Sequence, residues 1–387
     1  MHANDSFSLL HQALSLAEKS LYLSQPNPHV GCVLASSTGD ILGEGHTQQM
    51  GGAHAEVMAL RNAAALGHYV VGATAYITLE PCSHHGRTPP CCNALIEAKV
   101  AKVVIALLDP NPLVAGKGVE LLQKAGIAVE VLPVDHPQAM AAKELMIGFY
   151  SRMVRKTPWV RVKMASSLDG YTALQNGQSK WITSAVARDD GHAWRARAGA
   201  VLTGIGTVLS DDPSLDVRAV PTQRQPHVVI VDSALRTPIS SQLFDINNIA
   251  AKAINTLARA IFIYTNSIDL DRKAALENAG ATVIVVPADD TSGKVNLRWM
   301  MQDLAKREVN ELHVEAGATL NGALISAGLV DEFLVYIAPK LLGSGRGMAD
   351  LPVLADLNQV ASFEFVSAEK VGADLRLLGR ITALDAF

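Results

Sequence analysis

Apolar residues at Leu9, Leu10, Ala13, Leu14, Leu16 and Ala17 recur at helical spacing and predict a helix over Ser8 to Leu23, capped by Asp5 or Ser6 and ended by Pro26 and Pro28. Short apolar runs then predict strands at Val30 to Ala35, Ala73 to Leu79, Val103 to Leu107 and Ile127 to Val131. Helical patterns separate them, at about His54 to Leu66, Cys91 to Ala98 and Val119 to Ala125. This alternation predicts a layered α/β domain over residues 1–147.

A boundary is expected between Lys143 and Pro158, where Arg152, Arg155 and Lys156 precede a proline and a new apolar run. Beyond it, strands are expected at Trp159 to Ala165, Val201 to Thr203, Val228 to Asp232, Ala260 to Tyr264, Thr282 to Val286, Leu312 to Glu315, Phe333 to Ala338 and Leu375 to Leu378. Helices are expected at Ala185 to Arg197, Leu297 to Arg307 and Leu320 to Ala327. Together they make a second α/β domain, residues 158–387. Ile246 to Leu257 lacks a patterned partner and reads as an insertion.

Composition supports two packed cores. The chain has 387 residues, 49% hydrophobic and 18% charged, which excludes a disordered or tail-like protein. Its formal charge of −4 argues against a dedicated nucleic-acid binder. No run of about 18 apolar residues occurs, and the first residues lack the basic and apolar regions of a signal peptide. Four cysteines, Cys32, Cys82, Cys91 and Cys92, are too few for a disulfide framework. A cytoplasmic location is expected, with some of these thiols in metal or catalytic work.

The sharpest chemical signal is His54-Ala55-Glu56 followed by Pro81-Cys82 and Cys91. One imidazole and two thiolates suit tetrahedral zinc with an open fourth position, as in zinc deaminases. His54, Cys82 and Cys91 are the expected ligands, and Glu56, unligated, the proton shuttle. Residues two apart on a regular helix point about 200° apart, so His54 and Glu56 converge only at an irregular first turn, which Gly51 and Gly52 permit. Spacing alone does not choose between Cys91 and Cys92; Cys91 is preferred because it opens a helix just after Pro90, where the dipole favours a thiolate. The two cysteine ligands are separated by a spacer of eight residues, Ser83 to Pro90, where the usual spacer is two.

Asn27-Pro28-His29-Val30-Gly31, His54-Ala55-Glu56 and the run Thr78-Leu79-Glu80-Pro81-Cys82-Ser83-His84-His85-Gly86-Arg87-Thr88-Pro89-Pro90-Cys91 resemble the deaminase half of the bifunctional riboflavin-biosynthesis deaminase/reductases. The long spacer is similar to that family's, as is Asp109-Pro110-Asn111-Pro112 with Gly116-Lys117-Gly118. The resemblance implies a cytidine-deaminase-like three-layer domain. It also implies that Asn27 holds the substrate near the metal, with His84 and Arg87 facing the pyrimidine or its phosphate. His85 reads as a surface or structural residue.

In the second half, Thr203-Gly204-Ile205-Gly206-Thr207 lacks the third glycine of a dinucleotide fingerprint. Val314 to Ala323 is a better phosphate cradle: a strand, a glycine, then a helix start offering free N–H groups. Lys163 to Gly170, Trp181-Ile182-Thr183-Ser184 and Asp211-Asp212-Pro213 resemble the reductase half of the same family, which is similar in fold to dihydrofolate reductase. The resemblance implies NADPH at Ala165, Trp181, Thr207, Asp211, Ser233 and Gly317, Ala318, Thr319, Leu320, Asn321, Gly322 and Ala323. It implies substrate contacts at Ser179, Arg195, Leu215, Arg218 and Glu315, with Arg195 and Arg218 suited to clamp a phosphate. Lys163 and Asp169 suit either an ion pair or a part in hydride transfer. Asn247 to Thr256 and Met348 to Leu351 depart from the family pattern, and both are expected to stand clear of every motif.

The reading is therefore a two-step enzyme using zinc and NADPH on a phosphoribosylaminopyrimidine. It is expected to be a homo-oligomer with no nucleic-acid or membrane partner. Its rivals are a nucleoside or tRNA deaminase fused to an unrelated reductase, and an inactive regulatory binding protein.

Overall fold

The computed structural model describes residues 3–84, 89–112, 114–245 and 259–381. The chain divides into two compact units, Met1–Arg155 and Lys156–Phe387.

In the first unit, α1 (Ala3–Glu18) precedes β1 (Gly31–Ala35), β2 (Ile41–His46), α2 (Ala55–Ala65) and β3 (Thr74–Ile77). Then come α3 (Cys91–Glu97), β4 (Lys102–Ile105), α4 (Lys117–Lys124), β5 (Ala128–Val131), α5 (Pro137–Leu145) and α6 (Ile147–Arg155). Asp5 and Ser6 lie inside α1, not at its cap, and that helix ends at Glu18, five residues before the expected stop. The sheet order is β2-β1-β3-β4-β5. β1 pairs antiparallel with β2 and β3, and β3, β4 and β5 run parallel.

β2 has no apolar alternation because glycine serves close packing there. A Cβ on Gly43 would lie 2.4 Å from the Ala59 carbonyl oxygen, and one on Gly45 2.3 Å from that of Ala55, so the bare backbone lets α2 lie directly on the strand. Gly31, on the opposite face of the sheet, abuts α1 in the same way. Helices thus cover both faces of a five-stranded sheet, the three-layer arrangement expected.

The second unit is built on a nine-stranded sheet of order β11-β10-β9-β8-β12-β6-β13-β16-β15. Its parallel strands are β6 (Trp159–Ser167), β8 (Ala200–Gly204), β9 (His227–Val231), β10 (Ile261–Thr265), β11 (Ala281–Val285), β12 (Glu311–Val314) and β13 (Glu332–Ala338). Antiparallel β15 (Glu364–Val371) and β16 (Asp374–Arg380) close one edge, and a ribbon of β7 (Tyr171–Leu174) and β14 (Gly345–Gly347) stands apart. The described helices are α7 (Ala185–Arg197), α8 (Ile205–Asp211), α9 (Leu270–Asn278), α10 (Leu297–Lys306) and α11 (Ala318–Ser326). The expected insertion at 247–256 lies outside the described residues.

The two faces of β6 and β12 differ sharply. Val160, Val162, Leu312 and Val314 enter an apolar core with Met300, Met301 and Leu304 of α10. The alternate residues form a polar layer towards α7, with Arg161, Glu311 and His313 buried and Lys163 and Glu315 half-buried. There Arg161 bonds Glu332 and, at 3.0 Å, Glu311, while its guanidinium lies 4.4 Å from the Trp194 ring. Arg197 and Arg380 complete the pairing of those two carboxylates at 2.9 and 2.8 Å. β12 enters between β8 and β6, which creates a topological switch point, and ligands of such sheets sit beyond the carboxyl ends of the strands.

Candidate functional site

His54 is the N-cap of α2, with extended backbone (φ −77°, ψ 169°), and Glu56 follows in the helix's first turn. This break in helical geometry is what lets both side chains face one point. Cys82 follows the end of β3, and Cys91 opens α3. His54 Nδ1 stands 3.6 Å from Cys82 Sγ and 3.3 Å from Cys91 Sγ, and the three donor atoms lie within 4.8 Å of one another. A tetrahedral zinc with bonds of about 2.0–2.3 Å sets ligand–ligand edges of roughly 3.5 Å, so this nitrogen-and-sulfur set fits the ion. Cys92 turns away, its Sγ on the Pro81 carbonyl at 3.3 Å, and burial raises its thiol well above the usual range, which makes it the inert neighbour.

The donors are electrically coupled. The Cys91 thiol and His54 hold Cys82 down to about 4, which makes it a thiolate, while the same contact and burial raise Cys91. Glu56 is 3% exposed, burial raises its pKa, and its Oε2 has no hydrogen-bond partner. An orphan acid beside three converging ligands is poised to exchange a proton with a molecule placed between them. Asn27 is half-buried in the loop before β1, and His84 is half-buried with an unpartnered Nδ1. His85 and Arg87 lie outside the described residues.

In the second unit, Glu315 stands just past β12 and Arg195 in the last turn of α7. They pair in a two-pronged contact, Nε to Oε1 at 2.7 Å and Nη2 to Oε2 at 2.9 Å. Arg195, Lys163 and His313 together hold the Glu315 carboxyl well below its usual range despite burial. Burial lowers Lys163, whose ammonium lies 5.9 Å from the Tyr336 ring. Arg195, expected to clamp a phosphate with Arg218, here sets its fork on Glu315, while Arg218, its side chain half-exposed, lies 2.9 Å from Asp216. Leu215 is buried in the same loop.

Thr207 and the exposed Asp211 lie on α8, which follows β8 directly. Ser233 follows β9, and its hydroxyl accepts the Val295 N–H at 3.2 Å. Ala165 is half-buried on β6. Ser179 and Trp181 occupy the exposed loop after β7, where Lys340 holds the Trp181 carbonyl at 3.0 Å and Arg188 stacks on the indole at 4.4 Å. Asp169 accepts the Leu342 and Gly343 N–H groups at 3.1 and 2.8 Å, which gives it a loop-fastening part.

Gly317 is the N-cap of α11, and Ala318, Thr319, Leu320, Asn321, Gly322 and Ala323 form its first turns. No side chain caps this helix at Gly317, so its first N–H groups suit a phosphate. Residues 348–351, however, do not stand clear of the motif. Asp350 Oδ2 accepts the Thr319 hydroxyl at 2.8 Å, the Asp350 N–H reaches Ala318 O at 2.9 Å, and Asn321 donates to Met348 O at 3.0 Å. Glu80 and His313 are buried polar residues that no sequence motif singles out. A signal for His313 was present in the alternation Glu311, His313, Glu315, which marks a buried polar strand face.

Fold and sites thus define a two-unit enzyme class: a thiolate–imidazole metal site with a free acid, and a sheet of reductase type. Residues 4–107 match the cytidine and deoxycytidylate deaminase zinc-binding region, and residues 158–377 match the RibD C-terminal domain. The chain is 44% identical to the riboflavin biosynthesis protein RibD of Escherichia coli K12 over 370 residues, 95% of this chain and 96% of that protein. Among solved structures it is similar to Acinetobacter baumannii RibD (TM-score 0.85, 38% identity, 98% of this chain and 100% of that one). It is also similar to the Thermotoga maritima diaminohydroxyphosphoribosylaminopyrimidine deaminase/5-amino-6-(5-phosphoribosylamino)uracil reductase (TM-score 0.83, 30% identity, 98% and 100%). The chain belongs to the RibD family of bifunctional riboflavin-biosynthesis deaminase/reductases. Because the relatives span both halves, a nucleoside deaminase joined to an unrelated reductase is not favoured, nor is an inactive binding protein.

Proposed function

We propose that this chain performs two successive steps on one small pyrimidine. Residues 1–147 hydrolytically deaminate 2,5-diamino-6-(5-phosphoribosylamino)pyrimidin-4(3H)-one, and residues 158–387 reduce the ribose of the product to its ribityl form. The observation that carries the first step is the convergence of His54, Cys82 and Cys91 within 4.8 Å beside the buried, unpartnered Glu56 oxygen.

His54, Cys82 and Cys91 would hold zinc, whose Lewis acidity activates a water at neutral pH. Glu56 Oε2 accepts that water's proton as the oxygen adds to the ring carbon bearing the amine. The same carboxyl then returns the proton to the departing nitrogen as the C–N bond breaks, and ammonia leaves. In the second unit NADPH supplies the hydride. Ala165, Trp181, Thr207, Asp211, Ser233 and Gly317 to Ala323 would hold it. Ser179, Arg195, Leu215, Arg218 and Glu315 contact the substrate; Arg218 offers its free side to the phosphate, and Arg195 holds Glu315 ionised and oriented.

The chain is further read as a homo-oligomer. β15 is an edge strand flanked and lined by exposed Phe363, Phe365 and Val366, a combination that calls for cover. Net charge of −4 supports a protein without a nucleic-acid partner. No described helix is long and apolar enough to cross a membrane. Four free cysteines suit a reducing cytoplasm.

A coupled assay tests the whole reading. The phosphoribosylaminopyrimidine should release ammonia and then consume NADPH, and cytidine should do neither. Ammonia release from cytidine in place of that substrate would overturn it.

A further inference from the structure

One buried carboxylate near the metal-type ligands has no part in the scheme above. Glu80, two residues before Cys82, is 3% exposed. Its Oε2 accepts the N–H groups of Gly116 at 2.9 Å and Asp109 at 3.2 Å, and its Oε1 those of Gly118 at 2.9 Å and Val119 at 3.2 Å. Four donors saturate the roughly four lone-pair sites of a carboxylate, so Glu80 has none left for a metal or substrate. Two of these donors belong to the first turn of α4, where unsatisfied N–H groups and the helix dipole favour an anion. Glu80 therefore caps α4 from a distant part of the chain and ties down the loop that begins at Asp109.

The contact binds in both directions. A Cβ on Gly118 would lie 2.3 Å from the Pro81 carbonyl oxygen, so α4 rests directly on the residue before Cys82. Cys92 bridges the same two residues, with Sγ 3.3 Å from Pro81 O and 3.7 Å from Gly118 O. The Glu80 N–H reaches Leu107 O at 2.8 Å, and the Cys92 N–H reaches Cys82 O at 3.2 Å. Residues 80–82 are thus held by the end of β4, the start of α3 and the start of α4.

We propose that Glu80 is a positioning residue. By fastening the 109–119 loop and α4 to the segment that leads to Cys82, it sets that thiolate's place relative to His54 and Cys91. It thereby sets how tightly the metal is held, and it acts on the reaction only through Cys82. The proposal rests on His54, Cys82 and Cys91 being the metal site. A carboxylate that served fold stability alone could be replaced without changing the ligand sphere of the protein that remains folded.

The test uses the full-length chain with Glu80→Gln, whose amide keeps one acceptor oxygen and turns an N–H2 group towards N–H donors. Two readouts are taken on folded protein: the rate at which a chelator strips zinc, and the thiolate-to-cobalt absorption after Co2+ loading. The expected result is metal affinity about 10–100-fold weaker, with an altered cobalt spectrum. Wild-type stripping with a wild-type spectrum overturns the proposal. If Glu80→Gln does not fold, Gly118→Ala loads the same contact from the other side. Faster stripping there supports the proposal, and unchanged stripping overturns it. Absence of a thiolate-to-cobalt band in the unaltered chain would overturn the metal-site reading itself, and the proposal with it.

Discussion

The Arg195 guanidinium and the Glu315 carboxylate meet in parallel, with both bonds under 3 Å and both side chains largely buried. Removing one member strands the other in a desolvated site, a cost of about 3–5 kcal/mol. Arg195→Ala should therefore lower the stability of the second unit and raise the reductase KM for the pyrimidine at least about tenfold, since 1.4 kcal/mol of lost positioning already gives that factor. Arg195→Lys should recover charge but not the fork, and restore KM only in part. An unchanged KM in steady-state assays would remove Arg195 and Glu315 from substrate positioning.

Glu56→Gln keeps size and burial but cannot accept a proton from water. Ammonia release should fall by about 10²–10⁴-fold, the usual weight of a general acid–base group. Zinc content by elemental analysis should stay at the wild-type level. NADPH oxidation should also persist when the deaminated intermediate is supplied directly. Wild-type deamination by this variant would take the proton shuttle away from Glu56.

The metal-type cluster was legible in the sequence because imidazole, thiolate and carboxylate are chemically specific and three of the four sit next to a Pro or at a helix start. Pro90 favours Cys91 over Cys92 as the helix-opening thiol, and Cys92 turns towards the Pro81 carbonyl. What the pattern hid were contacts between distant segments. β2 escaped because Gly43 and Gly45 yield to α2 and leave no alternation. α8 escaped because Gly204 and Gly206 read as a degraded phosphate loop. β15 escaped because both its faces are largely exposed, so burial imposes no period of two. The Arg195 fork on Glu315 escaped because the two residues are 120 positions apart and nothing local announces the pair.

Asp350 places a negative charge on the Thr319 hydroxyl, at the start of the helix read as the phosphate cradle. A carboxylate there competes with phosphate for the same donors and repels it. Asp350→Asn should lower the KM for NADPH by about 2–5-fold, matching the 0.3–1 kcal/mol usual for a charge at a helix end. The gain should shrink as salt is raised. A KM that rises instead would show the carboxylate to be an organiser of the cradle and not its competitor.

Acid should unfold the second unit through its buried histidines. His313 is fully buried, neither ring nitrogen makes a hydrogen bond though Nε2 lies 3.6 Å from Glu315 Oε1, and burial holds its pKa at about 3; His192 and His227 are held at about 4 by burial and nearby arginines. In the unfolded chain each titrates near 6.5. Folded values below unfolded ones mean that the unfolded state binds protons first as pH falls. Stability is therefore complete above about pH 6.5 and declines from there towards pH 3–4, where protons enter the folded state too. Full protonation of His313 alone accounts for a loss on the order of 5 kcal/mol, at 1.36 kcal/mol per unit. Replacing it by Leu deletes the titration and breaks no hydrogen bond. Urea midpoints of wild type and His313→Leu at pH 7 and pH 4.5 should show a smaller acid penalty in the variant. Equal penalties would mean that His313 is not the group that takes up the proton.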